Sequence, residues 1–363
     1  MATVNKVLVI GDPHFKKTNI CESSQMVTNL IRVARSIDEL TFIVVLGDTL
    51  HRHETIHVEP LTKAIDMLRQ LKCIAPTYLI IGNHDRPNNS DFLSDKHPFN
   101  ALKEWTNMTV VDTTTHVEIN GQKFTIVPYV PPGKLFDALT TSVPNGTSDG
   151  TSDGTSNGTP KVESGDKYKE ATAIFAHQEI YGAKMGAITS NVGDKWPNDY
   201  PLLISGHIHD YDRLQANMIY VGTPMQHAFG DRSDKTVSVF SFLADKDEDK
   251  QVRWREDRID LDLVKRVIIY LNPDQIHDYI IPSNKLVKVV VKGTEAEIKA
   301  IVKSIAIDRL KSQGAIVAFK TTPTDGPQSS TNRLDSSVSY VDCLRQTISD
   351  DRQMVIMFDR LFA

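Results

Sequence analysis

Five stretches of this chain carry side chains that bind hard cations. They are Gly11-Asp12-Pro13-His14, Gly47-Asp48, Gly82-Asn83-His84-Asp85, His177 and Gly206-His207-Ile208-His209. Carboxylate, amide oxygen and imidazole recur, and no thiolate is among them. That donor set suits manganese, iron or zinc better than magnesium, which prefers oxygen alone. Asp12 and His14 are two residues apart, as are His207 and His209. On an extended segment each pair would point to one side. Together the donors exceed what one ion needs. With one carboxylate bridging, they suit two ions about 3.5–4 Å apart.

Such chemistry needs a frame that brings distant segments together. Each donor group follows a short apolar run, at 7–10, 43–46, 77–81, 173–176 and 202–204. The first three runs alternate with helical patterns. Residues 22–40 place Met26, Leu30, Val33 and Ile37 at helical spacing. Residues 59–72 repeat this with Leu61, Ile65, Leu68 and Leu71, behind Pro60 at a helix start. Strand and helix in alternation predict a parallel α/β sheet with right-handed crossovers. Runs that are apolar at every residue fit strands covered on both faces. In such sheets ligands bind at the carboxyl ends of the strands, where all five groups lie. A further short helix is expected over 100–106.

Residues 116–119 and 123–127 flank Asn120-Gly121, a hairpin signal that predicts antiparallel strands or a second sheet. Residues 144–160 repeat Gly-Thr-Ser-Asp with no apolar side chain, and read as a flexible surface insertion within one domain, 1–261. Residues 217–261 look β-rich. A second unit is expected over 262–322, with strands at 264–271, 286–291 and 315–319 and a helix at 295–310. Residues 323–335 read as a linker, and 341–361 as one or two short helices.

The net charge is −5 over 363 residues, which excludes a protein that grips nucleic acid by bulk charge but not one with a local basic groove. Three separated cysteines, Cys21, Cys73 and Cys343, suggest free thiols in a reducing compartment. No run approaches the roughly 20 apolar residues needed to span a bilayer. A strand-like run beginning by Lys6 leaves no room for a signal peptide, so an intracellular, non-secreted protein is expected.

The ordered set Asp12-x-His14, Gly47-Asp48, Gly82-Asn83-His84-Asp85, His177 and Gly206-His207-x-His209 resembles the calcineurin-like metallophosphoesterases, over roughly residues 6–260. The resemblance implies a four-layer α/β/β/α sandwich. It implies that Asp12, His14, Asp48 and His209 hold one metal, and that Asn83, His177 and His207 hold a second, with Asp48 bridging. His84 would stand over the scissile phosphate and protonate the leaving oxygen, with Asp85 orienting its ring.

Within that superfamily, His51 three residues past Asp48 is similar to a second non-ligand histidine of the SbcD-type DNA repair nucleases. The segment 220–237, with Tyr220-Val221-Gly222-Thr223-Pro224, is similar too, and the unit at 262–322 occupies the place of their small α+β capping domain. The resemblance implies a manganese-dependent DNA exonuclease and endonuclease and a homodimer through the helices at 59–72 and 100–106. It also implies an SbcC-type ATP-binding-cassette coiled-coil ATPase partner, held by the helical tail. Lys16, Lys17, Arg52, Arg86, Arg213 and Arg232 lie near strand ends and are candidates for DNA phosphate contact. A phosphoesterase acting on a cyclic nucleotide or phosphoprotein, and a non-catalytic scaffold, are the alternatives.

Overall fold

The computed structural model describes residues 4–141, 166–186, 188–246 and 252–322. The repeat at 144–160 and the tail from 323, including the expected helices at 341–361, lie outside the described residues. The first half forms β1 (Val4–Ile10), α1 (Ile20–Ser36), β2 (Leu40–Val45), α2 (Val58–Lys72), β3 (Thr77–Ile80), a 3-10 helix (Asn100–Glu104) where a longer helix was expected, and β4 (Met108–Val111). The hairpin follows as β5 (Thr115–Ile119) and β6 (Gln122–Ile126). Its turn residues Asn120 and Gly121 both have positive φ, 50° and 76°, as a two-residue hairpin turn requires.

After α3 (Leu135–Thr140) come β7 (Ala173–His177), a small ribbon of β8 (Lys184–Met185) and β9 (Ile188–Thr189), β10 (Leu202–Gly206), β11 (Asp212–Gln215) and β12 (Met218–Tyr220). The long antiparallel pair β13 (Val237–Lys246) and β14 (Val252–Ile259) returns to the first sheet. That sheet has the order β14-β13-β1-β2-β3-β4, and the second has β11-β12-β10-β7-β6-β5. Strands β1 to β4 run parallel to one another, as do β6, β7, β10 and β12, while β13, β5 and β11 join β1, β6 and β12 antiparallel.

The apolar runs are continuous because alternate residues serve two different cores. In β1, Leu8 and Ile10 pack with Met26, Leu30 and Leu68 of α1 and α2, while Val7 and Val9 pack against the second sheet. Strand β2 repeats this: Ile43 and Val45 face the helices, Phe42 and Val44 the other sheet. Between the sheets Phe42 meets Phe124 edge-on at 5.1 Å and Phe175 at 6.0 Å. Each fully buried side chain of this size contributes roughly 1.5–3 kcal/mol. The outer face of the second sheet is covered by α3, Tyr168 and Trp196 with their loops. The expected α/β/β/α sandwich is therefore present, with a thin fourth layer built on one six-residue helix.

Toward the C-terminus lie β15 (Lys265–Leu271), β16 (Lys285–Gly293), α4 (Glu295–Ile301), α5 (Ile305–Ser312) and β17 (Ile316–Thr321), the strands forming a three-stranded sheet. The single helix expected over 295–310 is two. Helix α4 opens with a capping box in which Thr294 Oγ1 accepts from the Glu297 N–H at 3.3 Å, while Glu297 Oε2 accepts from the Thr294 N–H at 2.7 Å. The described residues divide into one compact unit reaching to 269 together with 280–289 and 310–316, and a smaller one of 270–279, 290–309 and 317–322. No helix among the described residues is long and apolar enough to cross a membrane.

Candidate metal centre

The donors leave the carboxyl ends of β1, β2 and β3 in one sheet and of β7 and β10 in the other. Their side chains meet. Asn83 Oδ1 lies 3.0 Å from His177 Nε2 and 3.1 Å from His207 Nδ1. His14 Nε2 lies 3.0 Å from His209 Nε2. Asp48 reaches both groups, with Oδ1 3.3 Å from His177 Nε2 and Oδ2 3.7 Å from His14 Nε2. Asp12 Oδ1 is 3.3 Å from His177 Nδ1 and also accepts from the His207 N–H at 3.0 Å. All seven residues predicted as ligands are thus gathered, and all but His209 and His207 are nearly devoid of solvent.

This arrangement fits a metal. Ligand atoms about 2.0–2.2 Å from one ion stand roughly 3–3.5 Å from each other, which is the spacing found here. Ring nitrogens that face each other have no other use for their lone pairs. The outward nitrogens are already committed: His177 Nδ1 donates to the Leu46 carbonyl at 2.7 Å and His14 Nδ1 to the Leu50 carbonyl at 3.3 Å. Such outer bonds fix the tautomer that presents Nε2 to a cation.

Electrostatics agree. Burial pushes His14 well below the usual imidazole range and His207 down to about 3, so both are neutral donors. Burial also pushes Asp12 up to about 7. Burial alone would raise Asp48, yet the facing His177 holds it well below the carboxylate range. Burial likewise opposes charge on His177, but Asp48 and Asp12 raise it to about 9.

Close packing of the main chain makes these meetings possible. His14, Asp48 and His207 have φ of 46°, 46° and 79°. They are left-handed, not extended, so simple strand alternation is not what aligns Asp12 with His14 or His207 with His209. Such conformations for non-glycine residues are held by their surroundings. Gly82 is extended, with φ −82° and ψ 176°, so a tight turn is not why glycine stands there. A Cβ at Gly82 would fall 2.2 Å from the Asp48 nitrogen and 2.3 Å from its Oδ1. Glycine is needed for close approach.

His84 is partly accessible, its side chain 29% exposed. Its Nε2 lies 4.0 Å from Asp48 Oδ2 and its Nδ1 donates to the His51 carbonyl at 2.8 Å. The expected pairing of Asp85 with the His84 ring is not found. Asp85 is buried and spends both oxygens on main-chain N–H groups: Leu50 at 2.8 Å, Gly82 at 3.1 Å and Thr49 at 3.2 Å. It ties the Asp48 loop to the Asn83 turn and positions the metal donors. His51 stands beside the site, its ring parallel to that of His84 at 5.8 Å and edge-on to His14 at 5.2 Å. Burial lowers it to about 4.

The basic residues divide. Lys16, Lys17 and Arg52 border a cleft that His51 also lines. Arg86 is buried and does not face solvent: its guanidinium donates to the carbonyls of Tyr129, at 2.9 Å, and Asp91, and lies over the Tyr129 ring. Desolvation by a bound strand is therefore not its task. Arg213 packs over Trp254, and Arg232 pairs with Asp234 at 2.9 Å. Neither has a free guanidinium, and neither lines the cleft.

Sequence reasoning missed His227. It is buried, with Nε2 donating to the Asp12 carbonyl at 3.1 Å and its ring 5.1 Å from that of His14. Lys16 Nζ donates to the His227 carbonyl at 3.1 Å, and Asp231 Oδ2 accepts from the His227 N–H at 2.7 Å. Lys235 was noted only as part of a segment. Its Nζ donates to the His209 carbonyl at 2.7 Å. The segment after β12 therefore braces the β1 and β10 loops.

Residues 5–211 match the family model described as calcineurin-like phosphoesterase. "Putative phosphoesterase 078R" of Invertebrate iridescent virus 3 is 35% identical over 346 residues, covering 94% of this chain and 91% of that protein. "Putative phosphoesterase 244L" of Invertebrate iridescent virus 6 is 37% identical over 301 residues, covering 82% of this chain and 98% of that protein. Vps29 of Chaetomium thermophilum, a solved structure, covers 70% of this chain and 97% of its own at 10% identity and a TM-score of 0.26, too low to bear on the fold. The matched region spans every donor from Asp12 to His209, and on these grounds the chain belongs to the calcineurin-like phosphoesterase family.

Proposed function

We propose that the chain is a DNA phosphodiesterase, closest in kind to the SbcD-type nucleases, with two manganese ions as cofactors. The observation that carries this reading is the grouping of His51, His84 and His14, whose ring nitrogens lie within 4.8 Å of one another beside a cleft lined by Lys16, Lys17 and Arg52. Asp12, His14, Asp48 and His209 would hold one ion, and Asp48, Asn83, His177 and His207 the other. Divalent ions there supply neutralisation of the phosphodiester and Lewis-acid activation.

The side chains supply the rest. His84 donates the proton that the departing oxygen needs. Its Nδ1–H is fixed on the His51 carbonyl, so the proton transferred is the one on Nε2, the ring nitrogen that faces the metal donors 4.0 Å from Asp48 Oδ2. Asp85 keeps the loop of Asp48 in register with Asn83. His51 contacts the substrate phosphate or the strand beyond it.

Work with an ABC-type coiled-coil ATPase and homodimerisation belong to the same proposal. The stretch assigned to ATPase binding, 341–361, lies outside the described residues. End-labelled duplex and hairpin DNA, incubated in manganese and in magnesium with the native protein and with His84→Ala, tests the reading. Cleavage by the native protein and its loss in the variant are expected. No DNA cleavage beside rapid turnover of a cyclic nucleotide or phosphoprotein would sink it.

A further inference from the structure

A cleft of about 260 Å³ opens beside the metal centre, between the loop after β1 and residues 50–60. One wall is apolar, made of Phe15, Ile56 and Pro60. The other carries Lys16, Lys17 and Arg52, and among the described residues no acidic one lines the space, although the chain as a whole is acidic. Among the described residues neither Lys17 nor Arg52 forms an ion pair or side-chain hydrogen bond, and both are exposed. Cations left unpaired around an apolar floor suit a ligand with a ring and a negative charge. The volume is just under the roughly 300 Å³ at which small-molecule pockets begin, so it takes one such unit.

His51 forms the wall common to the cleft and the metal centre. Whatever fills the cleft therefore abuts the group that His84 serves. We infer that the cleft is a subsite for the nucleotide adjoining the scissile phosphate, its sugar or base on the exposed Ile56 and its further phosphate on Lys17 and Arg52. This rests on the nuclease reading and sharpens it: the enzyme distinguishes a strand from a simple diester by a second phosphate one nucleoside away.

The test compares an end-labelled single-stranded oligodeoxynucleotide with bis(p-nitrophenyl) phosphate, which lacks that second phosphate. Two variants of the full chain are used. Lys17→Ala with Arg52→Ala removes the charges, and Thr55→Trp fills the cleft without altering charge. Both are expected to lower kcat/KM for the oligonucleotide about tenfold or more relative to the small diester, and the first to flatten its salt dependence. An unchanged ratio of the two substrates in either variant overturns the subsite while leaving the nuclease reading intact. A native protein that hydrolyses the small diester but no oligonucleotide overturns both.

Discussion

His84 and His51 are joined through the main chain of one and the side chain of the other: the Nδ1–H of His84 donates to the His51 carbonyl oxygen at 2.8 Å. A backbone acceptor survives substitution of the His51 side chain, so the tautomer of His84 does not depend on the His51 ring. His84→Ala should lower turnover about 10²- to 10⁴-fold, the usual contribution of a proton donor. His51→Ala should fall well short of that. Metal content, measured alongside rates, should stay at the native level in both.

Asp85→Asn separates two roles. Asparagine keeps one acceptor oxygen but turns an amide donor toward N–H groups of Leu50, Gly82 or Thr49. Loss of a buried acceptor costs about 1–3 kcal/mol. A lower Tm and weaker metal retention are expected, with the pH dependence of turnover unmoved. A shifted pH profile at full metal loading would instead place Asp85 in the service of the His84 ring.

Gly82→Ala tests the approach of two main chains. Its Cβ has no room beside Asp48, so the loops must separate. Overpacking of this kind costs about 1–3 kcal/mol, and here it moves the bridging carboxylate. Metal affinity should drop more than Tm does, which calorimetric titration with manganese beside thermal unfolding can resolve.

Ligand linkage predicts the effect of chelation. Manganese at a hundred times its Kd should stabilise the fold by about 2.7 kcal/mol. Removal by a chelator should therefore lower Tm by several degrees, reversibly on readdition. A Tm indifferent to chelator would contradict binding by the folded state.

Acid should weaken the fold through Asp112. Burial raises its carboxyl, but hydrogen bonds from His97 at 3.1 Å and Lys103 at 2.5 Å outweigh this and hold it below the ordinary 3.8. Its contribution is complete above that value and is lost as pH falls through the lower, folded one. Asp112→Asn should be less stable at pH 7 and show a shallower loss of stability below about pH 4.

The frame and the donors were legible for one reason: both leave marks along the chain. A strand buried on two faces writes an unbroken apolar run, and a ligand at its end must be Asp, Asn or His. Relations with the main chain write nothing. Asp85 reads as a partner for its neighbour His84, yet its partners are amide groups that every residue possesses. Arg86 reads as exposed because it is charged, and only the fold reveals the carbonyls and the Tyr129 ring that satisfy it. His227 has no periodic company to mark it.

The donors enter the site from both sheets, the first at residue 12 and the last at residue 209. A growing chain therefore has no catalytic centre until β10 has emerged and docked. A chain that stops short of residue 209, or a break between those positions that lets the sheets part, leaves the donor set incomplete.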